Sequence, residues 1–167
     1  MVQASVDYAT TYFEFPVVDK IHGEPSYETL KKLKKQLKAN ALAVPSTLGG
    51  GNFGLLGLVL TDPEYARISN EQFVEPNHPG TLVVPQFTAN HDLICLQEEH
   101  KAEKETYNDC MAVKKTLTKQ IVGAVEPKYL KDIRDPVTIS LLLPVHEILQ
   151  HLFENYGQVT TEALATE

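Results

Sequence analysis

The sequence predicts a mostly α protein, a bundle of about five to six helices with a small Gly-rich extended or hairpin element near residues 41–60. Three observations carry that expectation. Apolar residues recur at helical spacing in three long stretches, around residues 30–41, 89–125 and 145–156. Helix-starting residues stand before several of them: Pro25-Ser26, Thr61-Asp62-Pro63, Thr88 and Pro144. Between the first and second stretches, five of the nine glycines (Gly49, Gly50, Gly51, Gly54 and Gly57) sit among short apolar runs, which is turn chemistry.

The totals bound the answer. A chain of 167 residues with 43% hydrophobic residues can bury a sizeable core. A net charge of −7 argues against a dedicated nucleic-acid domain, which carries a basic surplus. No apolar run reaches the roughly 18 residues of a membrane span, and MVQASVDYATTY lacks the basic region and apolar core of a signal peptide. The cysteines, Cys95 and Cys110, fall on one expected helix, roughly 22 Å apart and too far to bridge. A reducing, cytoplasmic setting without membrane contact is the expectation.

Residues 1–22 read as a loosely ordered N-terminal arm, with Tyr12–Val18 as a short extended piece limited by Pro16. Residues 23–167 read as one helical domain. Its first helix starts at Pro25 or Ser26 and places Leu30, Leu33, Leu37 and Ala41 on one stripe. Lys31, Lys32, Lys34, Lys35 and Lys38 fill its other faces. They fit a solvated face, a contact between subunits, or a weak contact with RNA. Pro45 closes that helix. Ala41–Val44 and Leu55–Leu60 then flank a Gly-rich turn as a hairpin or two extended segments. A two-turn helix follows Thr61. Residues 70–87 are loop-like, with Leu82-Val83-Val84 as an apolar anchor.

Thr88 caps the longest helix, roughly residues 89–125, with Leu93, Leu96, His100, Tyr107, Cys110, Met111, Leu117, Ile121 and Val125 on its stripe. Glu103 and Lys114 interrupt that stripe, the run EEHKAEKE reads as exposed, and Gly123 and Pro127 end the helix. Pro127–Ile133 reads as a short helical piece burying Tyr129, Leu130 and Ile133, and Thr138–Leu143 as a helical turn. Pro144 opens an amphipathic helix closed by Gly157. Thr160 or Thr161 starts a last helix so near the end that the chain fits a fragment of a longer polyprotein.

No motif carries chemistry. Gly49-Gly50-Gly51-Asn52-Phe53-Gly54 fits GxGxxG formally, but no βαβ unit precedes it and no GK[ST] follows. His146 and His151 are five residues apart, about 140° around a helix, where a zinc protease needs a spacing of four. Cys110 beside Met111 on an apolar stripe reads as a core residue. Catalytic, cofactor-binding and metal-binding residues are therefore none, no cofactor is implied, and the protein is expected not to be an enzyme.

Two segments carry a resemblance. GEPSYETLKKLKKQLKANALAVPSTLGGGNFGLLGLVL (residues 23–60), with AVEPKYLKDIRDP (124–136) and VHEILQHLFENYGQVT (145–160), resembles the capsid-like region of the Gag polyprotein of copia-type LTR retrotransposons. The resemblance implies a helical, capsid-like domain that assembles with copies of itself into a particle around RNA. It departs from that pattern in lacking a Cys-His knuckle and an Asp-Ser/Thr-Gly protease motif, so it covers the shell-forming part alone. Two other classes stand beside this one: a monomeric helical protein-binding adaptor, and a nucleotide-binding protein using the Gly-rich loop.

Overall fold

The computed structural model describes residues 7–158. Five α-helices follow in order: α1 (Tyr8–Thr11), α2 (Tyr27–Ala43), α3 (Asp62–Ile68), α4 (Asn90–Ala124) and α5 (Val145–Tyr156). Four 3-10 turns lie between them, at Leu48–Gly50, Leu56–Leu58, Pro127–Tyr129 and Lys131–Ile133. The described residues contain no strand, only one antiparallel bridge between Arg134 and Leu141. This is a helical bundle, as the apolar spacing predicts.

Local chemistry sets the helix starts. Ser26 accepts from the Thr29 amide, and the Thr29 hydroxyl accepts from the Ser26 amide. Thr61 and Glu64 cap α3 in the same reciprocal way, with Pro63 in its first turn. Each such box satisfies two amides that the helix itself cannot. Pro144 precedes α5 as expected, and its carbonyl accepts from Glu147 and Ile148. α4 starts after Ala89 with no side-chain cap, because the expected cap, Thr88, turns its hydroxyl to the Pro85 carbonyl.

α2 is central and packs against α4, α5 and the Leu56–Leu58 turn. Leu30, Leu33, Leu37 and Ala41 are fully or nearly fully buried along it. They meet Cys110, Val113, Leu117, Ile121 and Ala124 of α4, and Val145, Ile148, Leu149 and Leu152 of α5, in one core. Gly123 lies within the last turn of α4 and does not end it.

The Gly-rich stretch corrects the hairpin expectation. α2 runs on through Ala43, so Ala41–Ala43 is helix, and Leu55–Leu60 folds into 3-10 and turn backbone with Leu55, Leu58 and Val59 in the core. A short apolar run has the same composition in either state; here it is packed on all sides, with Leu55 N–H donating to the Ala41 carbonyl at 2.9 Å. Gly54 has φ +53, and a Cβ there would strike the backbone carbonyls of Leu42 and Val44. At Gly57 a Cβ would fall inside the Phe73 ring.

The N-terminal arm also differs from expectation. Residues 1–6 lie outside the described residues, but Tyr8–Thr11 is a helical turn capped by Asp7, and Phe13, Val18 and Ile21 enter the core. The strap from Phe15 to Ile21 is held by two polar residues of α2. Asn40, wholly buried, accepts from Phe15 N–H at 2.7 Å and donates to the Phe15 carbonyl at 3.0 Å and to Gln120 at 2.9 Å. Gln36 accepts from Asp19 N–H at 3.1 Å, one turn earlier. Polar residues on a helix do not announce long-range partners, so the periodicity left these two among the solvated positions.

Two smaller expectations change and one holds. Residues 138–143 form no helical turn: Asp135 accepts from Val137 and Thr138, and Ile139 takes φ +61. Pro127–Ile133 is two 3-10 turns, with Leu130 buried and Tyr129 and Ile133 half-buried. Gly157 caps the C-terminus of α5 as expected, its N–H donating to the Phe153 carbonyl, with φ −100 in place of a left-handed value. The helix expected from Thr160 or Thr161 lies outside the described residues.

Two substitutions test this packing. Asn40→Ala orphans the Phe15 amide and the Gln120 carbonyl and should lower unfolding free energy by about 2–4 kcal/mol in urea titration. Gly54→Ala, pressed against carbonyls, should cost more than about 2 kcal/mol, whereas Gly51→Ala, with φ +78 but only ordinary van der Waals contacts around a Cβ, should cost about 1 kcal/mol by the same measurement.

Candidate assembly surface

The five lysines of α2 divide into two groups. Lys32 pairs with Asp19 at 2.7 Å and Lys34 with Glu64 at 3.0 Å, so both hold the fold. Lys31, Lys35 and Lys38 follow at intervals of four and three, which sets them on one helix face. Lys31 and Lys35 are exposed, Lys38 is half-buried, and none of the three has an acidic partner among the described residues. Tyr27 and Leu42 extend the same face, and the Lys31 ammonium lies 5.8 Å from the Tyr27 ring centre. The outward face of α2 is thus a cationic stripe on an acidic protein.

α4 is two different helices in one. From Cys110 onward every core-facing residue is buried; before Cys110 none is. Asn90–Asp109 runs about 30 Å at the helical rise; its last turn meets α1, where the Tyr8 hydroxyl donates to Asp109 at 2.6 Å, and the turns before it lean on the segment 74–89. The His100 ring bonds the Gly80 carbonyl, and His78 stacks edge-on to Tyr107. Leu93, Leu96, His100 and Tyr107 are half-buried under this segment. The N-terminal half carries six carboxylates against two lysines. Lys114, which interrupts the apolar stripe, carries its ammonium out to Glu75 at 3.2 Å.

Apolar side chains are exposed along this projecting arm. Val83 is 81% and Phe87 94% accessible, and Val74, Val84 and Ile94 are exposed as well. Leu82 is half-buried, so Leu82-Val83-Val84 anchors by one residue of three. Phe87 has φ +65, a conformation that costs a non-glycine residue roughly 1–2 kcal/mol.

The reactive-looking residues are placed otherwise. Cys95 and Cys110 stand on α4 as expected and are both free thiols. Burial, with Glu75 nearby, pushes the Cys110 thiol up to about 11, so it stays protonated and unreactive at neutral pH. His146 and His151 lie apart on α5. His151, expected at an exposed position, is half-buried, and its Nε2 is buried without a hydrogen-bond partner among the described residues. No group of three or more His, Cys, Asp or Glu among the described residues could hold a metal ion. In the Gly-rich loop the Gly49 carbonyl is taken by the buried Tyr65 hydroxyl at 2.6 Å. No helix among the described residues is long and apolar enough to cross a membrane.

Protein-family models, curated proteins and solved structures yield no match to this chain.

Glu64 gives the surface a pH dependence. Burial alone would push its carboxyl up, but the Lys34 ammonium and the Thr61 amide outweigh burial and hold it below the ordinary carboxylate value. The unfolded chain therefore binds the proton more readily. The stabilisation is complete above the unfolded value near 4.5 and fades as pH falls through the lower folded value. Glu64→Gln keeps the Thr61 cap and loses the ion pair. Thermal melts between pH 7 and pH 3 should show a flatter acid limb for the variant than for the wild type.

Proposed function

We propose that this chain is a structural, non-catalytic protein that assembles with copies of itself, as the shell-forming, Gag-like capsid domain of a copia-type retrotransposon. The observation that carries this reading is the projecting half of α4 with its covering segment. A helix of 35 residues commits only its C-terminal part to the core and holds the rest out with Val83, Phe87 and Ile94 uncovered. A monomer gains nothing from that extension, whereas apolar surface held on a rigid element is what an intersubunit contact requires. The helical bundle and the quoted sequence segments support the same reading.

Charge gives the assembly its character. The Lys31, Lys35 and Lys38 stripe and the acidic arm are opposite in sign and belong to one molecule, so copies attract while each stays acidic overall. The stripe also supplies a weak, salt-sensitive contact to RNA inside a particle, secondary to protein–protein contacts.

Sedimentation velocity over a concentration series checks the reading. Mass should rise with concentration and fall with added salt, and Lys31→Glu/Lys35→Glu/Lys38→Glu should weaken association without lowering the thermal midpoint. Lys34 is spared because its pair with Glu64 supports the fold. A monomer at every concentration would instead favour the adaptor.

A further inference from the structure

Among the described residues, two non-glycine residues hold a positive φ: Phe87 at +65 and Ile139 at +61. Both are large, apolar and exposed, at 94% and 68%. A β-branched residue in that region is strained, and a bulky aromatic is little better placed. Strained apolar side chains held in water at two separate places point to a use for each.

Ile139 borders a groove of about 490 Å³ between the C-terminal half of α4 and the 139–143 segment. Met111, Val122 and Leu142 give it apolar walls, and Lys115 and Lys119 stand on its rim. Both rim lysines are exposed and have no acidic partner among the described residues. Arg134, also on the wall, is occupied with the Ile139 carbonyl at 2.9 Å. Phe87 has the opposite surroundings. It shares a hollow at the start of α4 with Asp92, Leu96 and Glu99. One end of α4 therefore presents an aromatic knob among carboxylates, and the other an apolar groove rimmed by ammonium groups.

The knob cannot reach its own groove. Phe87 stands three residues before Asn90, the start of α4, and the first groove residue on that helix, Met111, is 21 residues further on, roughly 32 Å at the helical rise. We infer that Phe87 of one copy seats in the groove beside Ile139 of a second copy, with Asp92 and Glu99 facing Lys115 and Lys119. This rests on the self-assembly reading and specifies its contact. The contact joins two different patches, so it is heterologous and repeats from copy to copy. A single aromatic side chain buries about 150–250 Å², far below the roughly 1,200 Å² of a stable pair. The contact is therefore a weak link of the same strength at each repeat, filled at the upper end of a protein concentration series.

Two variants test it. Phe87→Gly removes the knob and its strained φ, so its thermal midpoint should equal or exceed that of the wild type. Lys115→Glu/Lys119→Glu reverses the rim at exposed positions. Each alone should weaken self-association roughly tenfold or more by sedimentation velocity. Mixed one to one, they should form heterodimers and stop there, because the first keeps a groove and the second keeps a knob. The contact is overturned if either variant associates like the wild type, as it would were the groove filled by the chain's own end or by nothing. It is equally overturned if, at the highest concentration of the series, the mixture associates no more than either variant alone. A wild type that is monomeric throughout the series overturns the assembly reading itself, a result distinct from all of these.

Discussion

The buried amide of Asn40 is the interaction on which the rest of the arrangement depends. It sits in the last turn of α2 with its oxygen accepting one hydrogen bond and its nitrogen donating two, so no polar atom of the side chain is left orphaned in the core. A fully paired buried amide adds directionality that apolar packing lacks. Through it the strap at Phe15, α2 and Gln120 of α4 are held at one point. Gln36 holds Asp19 a turn earlier, and Ile21 N–H donates to the Ala124 carbonyl at 2.7 Å at the end of α4. The strap thus spans α2 and α4 and fixes their relation. The direction in which the far end of α4 leaves the body follows from that constraint.

Just beyond Asn40, the C-terminal end of α2 is closed by backbone proximity. Gly54 lies against the carbonyls of Leu42 and Val44, Gly57 under the Phe73 ring, and Tyr65 reaches the Gly49 carbonyl. Phe53, Tyr65 and Phe73 then pack edge to face around the loop. Glycine is required here because neighbours occupy the space of a side chain. A phosphate cradle needs the reverse, open space in front of amide groups at a helix start. The loop is a lid on the core.

How much of this could be read from residues alone depends on the range of the interaction. Helix starts at Ser26, Thr61 and Pro144 were legible because their chemistry is local, within four residues. The core stripes of α2 and α5 were legible because apolar spacing reports one face. The strap was not, since its partners lie 17 to 105 residues away and Asn40 and Gln36 look like any solvated amide. The hairpin expectation failed because a short apolar run between turn signals does not distinguish extended from 3-10 backbone. In α4 the stripe continued past the point where the body ends. Leu93, Leu96 and Tyr107 keep helical spacing but serve a covering segment, and a periodicity cannot say how much mass stands behind it. The five lysines were readable only as filling the faces beside the apolar stripe; the separation of Lys31, Lys35 and Lys38 from Lys32 and Lys34, which enter ion pairs, needed coordinates.

The division of α4 has an energetic consequence. Residues that bury apolar surface stabilise the fold by roughly 25 cal/mol per Å², and almost all of that burial lies from Cys110 onward. Asn90–Asp109 contributes little of it, so its helicity rests on propensity, alternating-sign pairs and continuity with the anchored half. A long isolated helix of that kind frays when it begins without a cap, and α4 begins without one. The segment 74–89 counters this by binding His100 and Tyr107 through Gly80 and His78. It does so at the cost of placing Phe87 in a strained conformation in water. Evenly distributed stability would have shortened the helix and buried the phenyl ring. The length of α4 and the strained phenyl ring are thus parts of one arrangement, because the segment that steadies the projecting half is the segment that holds Phe87 in water.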